Sequence, residues 1–209
     1  NSTIANNSSP LGGGVRISQH SYATFTNVNV INNVSDNYEG GGVSIDACGY
    51  WTDENCIPEF TNTIIWGNTP DNVYIASYPP ESEIYETGIA LITYSNIEGG
   101  FAGEGNIDSN PLFTDPDAGD YALQEGSPCI DTGDPFIWYS DVDKTRSDMG
   151  KTGGLYAAPN FTSYDYGEIG GSGSSSVQFK LLNFRATPIS ISSVNFETST
   201  YNTYTSFPI

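Results

Sequence analysis

Six aspartates in two short loops are the residues of this sequence that could most readily do chemistry. Asp-rich loops that contain Gly gather carboxylate oxygens around hard cations such as Ca²⁺, and backbone carbonyls complete the shell. The spacing differs from an EF-hand loop because the bidentate Glu is missing. Asx-turns, or salt bridges to Lys144 or Arg146, are the alternative use of the same side chains. The candidate calcium ligands are Asp115, Asp117 and Asp120 in the first loop and Asp141, Asp143 and Asp148 in the second.

An aromatic set in the first hundred residues could stack on sugar rings. Aromatic side chains of this kind also serve as core residues or stack on one another, so both interpretations stay open. The set comprises Tyr50, Trp51, Trp66, Tyr74, Tyr78 and Tyr85, of which Trp51, Trp66 and Tyr74 are the candidate sugar-stacking residues.

Groups that could cleave acidic polysaccharides are sparse. A lyase of that kind needs a carboxylate-bound Ca²⁺ and a base, and Arg16 is the one Arg or Lys in the first hundred residues. An inverting hydrolase needs two carboxyl groups roughly 6.5–9.5 Å apart, whereas most of the early acids fall in predicted loops. His20, the sole histidine, follows a strand end and is interpreted as a surface corner residue. The sequence therefore predicts a protein that is not an enzyme.

The charge balance limits the possible partners. The chain has 25 acidic and 6 basic residues, which gives a formal net charge of −19. Such a surface repels nucleic acid, anionic membranes and polyphosphates, and it favours solubility and divalent cations. No apolar run approaches the roughly 20 residues of a membrane span. We therefore expect no nucleic-acid partner and no membrane span.

Three cysteines divide into a pair and a single residue. Cys48 and Cys56 flank an irregular loop that interrupts the repeat, and a disulfide would close that loop in an extracellular compartment. Two unpaired thiols are the alternative. Cys129 is left over, and we expect it to act as a small buried hydrophobic residue.

Two loosely repeated phrases organise the first hundred residues. Short β-branched or aromatic runs end at Asn or Gly, and a Gly-Gly-Gly-Val-x-Ile phrase occurs twice. Its glycine triplets begin at Gly12 and Gly40, 28 positions apart. A period of about 20–50 residues that is built from short strands is typical of solenoids. The four runs begin at Thr3, Val28, Thr63 and Tyr94.

The repeated phrases predict strands that stack on equivalent strands about 4.8 Å away. Alternation would turn the Val and Ile side chains of 28–32 inward and Asn29 outward, with Arg16 outward in its own run. Asn and Gly at the strand ends suit corners that need αL backbone. A right-handed parallel β-helix fits this pattern, and an antiparallel sandwich is the alternative. Antiparallel pairing between 28–33 and 63–68 would exclude the β-helix.

Residues 101–150 carry several phrases in a fixed order. In this order the phrases resemble the closing segment of bacterial surface β-helix proteins. The resemblance implies that the segment finishes the coil and leads into sorting or anchoring domains. It also implies a location outside the cell or on the surface of a Gram-negative bacterium. The phrases are NIDSNPLF from Asn106, DYALQEGSPCIDTGDP from Asp120 and DVDKTRSDMG from Asp141.

A linker is predicted at 151–163, and alternating strands follow at 164–209. The second stretch is similar to the start of immunoglobulin-like modules that occur beside such β-helices. A sandwich of that kind needs about 100 residues, so this stretch forms only part of one. We expect its apolar face to be covered by further sequence or by an adjacent molecule. That face includes Phe179, Leu181, Ile191 and Phe196.

These features predict an all-β chain with a right-handed parallel β-helix over 1–150, made of a coil at 1–100 and a closing segment at 101–150. A partial immunoglobulin-like β-sandwich follows the linker. The predicted function is a non-enzymatic scaffold, adhesin or filament component, with other copies, surface proteins or extracellular glycans as partners. A polysaccharide lyase or hydrolase with catalytic residues upstream of Asn1, or a carbohydrate-binding module, is the alternative. Because the chain opens inside a repeat phrase, we expect a fragment of a larger secreted protein.

Overall fold

The computed structural model describes residues 1–18, 21–36, 40–46, 57–77, 88–141, 143 and 145–154, and the backbone of 158–159 and 181–182. Two 3₁₀ helices, Pro116–Ala118 and Ile137–Tyr139, accompany the strands. In this part of the chain, no helix has the length and apolar character needed to cross a bilayer. The strands are β1 (Ser2–Ala5), β2 (Ser8–Ser9), β3 (Val15–Ile17), β4 (Thr24–Thr26), β5 (Val28–Ile31), β6 (Val34–Ser35), β7 (Val43–Ile45), β8 (Glu59–Thr61), β9 (Ile64–Trp66), β10 (Val73–Ile75), β11 (Leu91–Thr93), β12 (Asn96–Ile97), β13 (Phe113–Asp115), β14 (Asp120–Leu123), β15 (Ala158–Pro159) and β16 (Leu181–Leu182).

The first twelve strands form four sheets in which every strand pairing is parallel. The chain visits these sheets in a fixed order and returns to the first, so neighbouring strands come from successive passages of chain. The sheets are β1-β5-β9-β12, β2-β6, β3-β7-β10 and β4-β8-β11. The prediction of an all-β chain is confirmed for the described residues, and β5 pairs with β9 in parallel.

Two further pairs of strands are antiparallel. β13 and β14 form a hairpin within the closing segment, with the 3₁₀ helix Pro116–Ala118 between them. β15 and β16 pair as well, with Ala158 opposite Leu182. Apart from β16, the predicted partial sandwich at 164–209 lies outside the described residues.

The glycine triplets lie where successive passages of chain meet backbone to backbone. The amides of Gly13 and Gly14 donate to the carbonyl oxygens of Gly40 and Gly41, at 3.3 and 2.9 Å. A Cβ atom on Gly41 would overlap the carbonyl of Thr69 in the next passage. Because no side chain fits between these layers, the repeated glycines are a packing requirement of the parallel stack.

Corners between the sheets use left-handed backbone at equivalent positions. Asn6 and Asn32, which follow β1 and β5, have φ angles of 58° and 51°, and Gly67 takes the equivalent position after β9. Asn27 and Asn62 follow β4 and β8 with φ angles of 53°. The prediction that Asn and Gly supply the αL corners is therefore confirmed.

A line of asparagine side chains links the successive passages. The backbone and side-chain amides of Asn7 donate to Asn33 Oδ1, at 3.0 and 2.9 Å. Those of Asn33 donate in the same way to Asn68 Oδ1, at 2.8 and 3.0 Å. Asn68 then donates to Asn72 Oδ1 at 2.8 Å. Asn33 and Asn68 are buried, so an unpaired amide there would destabilise the fold by about 1–3 kcal/mol. This asparagine ladder therefore favours one register.

The inner cluster packs between the three larger sheets, β1-β5-β9-β12, β3-β7-β10 and β4-β8-β11. Each of these sheets contributes inward side chains, and Phe25 stacks on Phe60 with ring centroids 4.6 Å apart. Burial of each large side chain is worth about 1.5–3 kcal/mol, which makes this cluster the main source of stability. Its buried members are Ile17, Val28, Val30, Val43, Ile45, Phe60, Ile65, Ile92 and Ile97.

The outer cluster lies on the opposite face of the sheet β1-β5-β9-β12. Ile31 belongs to this cluster, so the expectation that it faces inward with Val28 and Val30 is wrong. Strand alternation places Ile31 on the same face as Asn29, and the closing segment then buries both. The buried members are Ile31, Ile64, Phe113, Tyr121, Cys129 and Met149.

Candidate metal centre

Buried polar contacts anchor the second half of the closing segment on the coil. Asn27 Nδ2 donates to Ser147 Oγ at 3.3 Å and to the carbonyl oxygen of Asp148 at 3.0 Å. Asn62 Nδ2 also donates to Ser147 Oγ, at 3.2 Å, and Asn62 Oδ1 accepts from the amide of Asp134 at 2.6 Å. These corner asparagines therefore position the loops that carry the aspartates.

Three carboxylates converge beside these anchors. Asp131, Asp141 and Asp148 each offer one oxygen, and the three oxygens lie within 4.8 Å of one another. Asp131 is exposed, Asp141 buried and Asp148 half-buried. Asp131 follows the buried Cys129, and Asp148 precedes the buried Met149, so the outer cluster fixes both loops. This group of aspartates could hold a metal ion.

Some of the oxygens in this group already accept hydrogen bonds from backbone amides. Asp141 Oδ2 accepts from the amide of Asp148 at 2.9 Å, and Asp141 Oδ1 accepts from the amide of Gly154 at 2.7 Å. Asp148 Oδ1 accepts from the amide of Asp131 at 2.9 Å. The same carboxylates therefore fasten the end of the closing segment, and the residues that begin the predicted linker, to one another.

The electrostatic environment favours protonation of Asp141 and Asp148. Burial raises the pKa of Asp141 to about 6, and repulsion from Asp148 and Asp143 acts in the same direction against the two backbone hydrogen bonds. Burial also raises the pKa of Asp148. A divalent cation would relieve this repulsion and favour the ionised forms of Asp141 and Asp148.

The other predicted ligands lie outside this group, and Asp115, Asp120 and Asp143 accept hydrogen bonds within turns. Asp143 Oδ1 accepts from the backbone amide and the hydroxyl of Thr145, at 3.0 and 2.7 Å. Asp115 Oδ1 accepts from Ala118 at the start of the 3₁₀ helix, and Asp120 Oδ1 accepts from Ala122. Asp117 is exposed. In the described residues, the first loop therefore follows the Asx-turn alternative.

Asp131 is a member of the group that the sequence interpretation missed. It lies in the GSPCIDTGDP phrase, ten residues before Asp141 in the sequence. Closeness in sequence does not predict this contact, because the turn at Asp131, with a φ of 54°, brings its carboxylate back to the second loop. The signal that the sequence offers is an Asp in a phrase that contains Gly126 and Gly133.

The basic residues engage other partners. Arg16 Nη2 lies 2.8 Å from Asp46 Oδ2 in a partly exposed ion pair. Arg146 donates to the carbonyl oxygen of Gly133 and lies 5.7 Å from the centroid of the Tyr94 ring. His20 and Lys144 lie outside the described residues.

The thiol of Cys129 is buried and free. Asn96 Nδ2 lies 3.1 Å from its sulfur, and burial raises the pKa of this thiol to about 11. A protonated thiol in the outer cluster agrees with the expected packing role. The predicted disulfide between Cys48 and Cys56 lies outside the described residues.

The candidate sugar-stacking residues are dispersed. Trp66 ends β9 and lines a cleft beside the closing segment. Tyr74 lies in β10, in another sheet, and is half-buried. Trp51 lies outside the described residues, as do Tyr50, Tyr78 and Tyr85.

Comparison with models of known protein families, with curated proteins and with solved structures gives no match.

Proposed function

We propose that this chain is a non-catalytic structural or adhesive protein of a Gram-negative bacterial surface, built on a right-handed parallel β-helix over 1–150. The observation that carries the proposal is the fixed order in which the chain visits four parallel sheets. Stacked layers of this kind form an extended body whose stability sums over neighbouring layers. Such a body suits a scaffold, adhesin or filament component that contacts other copies, surface proteins or glycans.

An activity assay distinguishes the proposed structural function from that of a polysaccharide lyase or hydrolase. Arg16, the base that a lyase would need, is held by Asp46. We expect no release of unsaturated sugars or reducing ends when the protein is incubated with polygalacturonate or alginate, with or without Ca²⁺. Release that exceeds a heat-denatured control and is lost in Arg16→Ala would contradict the proposal.

Location is tested on intact cells of the source bacterium. An antibody against residues 1–150 should label unbroken cells, and brief protease treatment of those cells should remove the label. Label that appears only after lysis would contradict a surface protein.

We propose that Asp131, Asp141 and Asp148 bind Ca²⁺. Their oxygens are the hard ligands that Ca²⁺ prefers, and six to eight oxygens complete its shell. Bound Ca²⁺ would fasten the two loops of the closing segment that carry these aspartates to each other, and so stabilise the fold by mass action. The competing function is purely structural, with the carboxylates acting as acceptors for backbone amides.

The calcium proposal predicts a reversible loss of stability on chelation. EDTA should lower the melting temperature, and returned Ca²⁺ in excess should restore it. Asp131→Asn should remove this response, because it removes one of the three carboxylates. The variant should keep its fold, since Asn tolerates the left-handed backbone and the Asp131 side chain is exposed. Asp120→Asn is the matched control. Equal melting curves with EDTA and with Ca²⁺ would contradict the calcium proposal and would support a purely structural function for the three carboxylates.

Residues 164–209 are proposed to form part of an immunoglobulin-like module that further sequence or a neighbouring molecule completes. Exposed apolar strands offer unpaired edges to other chains. Sedimentation of the 209-residue chain and of a chain that ends at residue 163 should show self-association in the longer one only. A monomeric longer chain with protected amides at 177–196 would contradict the need for a partner.

A further inference from the structure

The hairpin β13-β14 and the coil enclose a cleft of about 390 Å³. The residues at the C-terminal ends of β5 and β9 form one side of the cleft. Residues just before, within and just after the hairpin form the other side. This volume is near the lower end of the range for small-ligand sites, which run from about 300 to 1,000 Å³. The lining residues are Ile31, Asn32, Trp66, Asn110, Pro111, Leu112, Phe113, Pro116, Asp117 and Gln124.

Trp66 gives the cleft a fixed aromatic surface. Its side chain packs against the outer cluster, and the residue also lines the cleft. Pro116 and the partly exposed Leu112 also line the cleft. Trp binds flat apolar faces at a low cost in conformational entropy because few of its torsions need to be ordered. The C–H faces of sugar rings are flat and apolar in this way.

Hydrogen-bond donors and acceptors both line the cleft beside Trp66. The exposed residues Asn32 and Asp117 both line the cleft. Asn110 Oδ1 accepts from Leu112 and leaves its NH₂ group available. Gln124 Nε2 donates to the carbonyl of Phe113 and leaves its oxygen available. Hydroxyl groups both donate and accept, so a polyhydroxylated ligand matches this mixture.

Charge narrows the class of ligand. Asp117 contributes a carboxylate to the cleft, and the whole chain carries a net charge of −19. An acidic glycan would therefore be repelled, whereas uncharged hydroxyls can donate to this carboxylate in charge-assisted hydrogen bonds.

We propose that this cleft binds an uncharged saccharide, with a sugar ring on the Trp66 indole and hydroxyl groups on Asp117, Asn32 and Gln124. The volume suits about one or two sugar rings. Open clefts of this size bind weakly, with dissociation constants of about 0.1–1 mM. The site adds glycan recognition to the scaffold without any catalytic step.

Saturation-transfer NMR and calorimetry on the 209-residue protein test this site. The probes are maltotriose, cellotriose, mannotriose and tri-N-acetylchitotriose, with trigalacturonate as the acidic comparison and tetramethylammonium as a cation without hydroxyls. We expect at least one neutral trisaccharide to bind and the other two kinds of probe to fail. No binding by any neutral trisaccharide, or tighter binding of either comparison probe, would overturn the proposal.

Variants locate the binding. Trp66→Ala should abolish binding, and Trp66→Phe should retain part of it because an aromatic face remains. Asp117→Asn, at an exposed position that leaves packing intact, should weaken binding about tenfold, the effect of one lost charged hydrogen bond. Trp138→Phe, an aromatic change outside the cleft, should leave the affinity unchanged. Equal affinity in the wild type, Trp66→Phe and Asp117→Asn would place the saccharide elsewhere and overturn the proposal.

Discussion

The coil and the closing segment bury opposite faces of the sheet β1-β5-β9-β12 by different means. The coil repeats the same strands, corners and glycines in each passage, and its contacts are mainly parallel strand pairs and the inner cluster. The closing segment has one hairpin and is held by individual side chains such as Asn27 and Asn62. Repetition therefore spreads stability over many similar contacts, whereas the irregular segment depends on a few.

The largest predicted effect comes from breaking the repeated interior. Phe60 is fully buried and stacks on Phe25, so Phe60→Ala should destabilise the protein by about 3–5 kcal/mol. Leu91, in the next strand of the same sheet, is 50% exposed, and Leu91→Ala should change stability by less than about 0.5 kcal/mol. Urea denaturation measures both values. Similar losses in the two variants would contradict the assignment of inner and outer faces.

A smaller effect is predicted for the outer cluster. Met149→Ala should destabilise the protein by about 2–3 kcal/mol, because it empties a buried site between the sheet and a single segment. Hydrogen exchange should accelerate at 129–150 and remain slow in β5 and β9, since the coil keeps its interior. Phe136→Ala, at a position that is 51% exposed, is the control. Acceleration that spreads equally through the coil would show that the two regions unfold together.

Much of the coil could be predicted from sequence because its signals are local. The glycine triplet at Gly40 and the corner at Asn32 are determined by backbone conformation and close approach within neighbouring passages. The apolar character of Ile31 predicts the wrong face for it, because the sequence does not show that a distant segment covers the outside of the sheet. The contact between Asp131 and Asp141 is hard to predict for a related reason. The two residues are ten positions apart in the sequence, and the turn at Asp131 brings them together. Contacts of the closing segment depend on where a non-repeating chain returns to the coil.

The smallest predicted effect is the pH dependence of the anchored carboxylates without metal. Burial raises the pKa of Asp141 from 3.8 to about 6 in the folded protein. Its contribution to stability is therefore complete below pH 3.8 and is lost as the pH rises through about 6. In EDTA, acidification from pH 7 to 5 should raise the melting temperature less in Asp141→Asn than in the wild type. Asp71→Asn, at an exposed site, should keep the wild-type slope.

Inter-strand NOEs in solution test the central claim, which is the parallel stacking of successive passages. The register in the structure places Asn29 opposite Ile64, Val30 opposite Ile65 and Ile31 opposite Trp66. Amide and Hα contacts between β5 and β9 should follow that ascending order. A descending order, with Asn29 close to Trp66 and Ile31 close to Ile64, would be antiparallel pairing and would contradict the account.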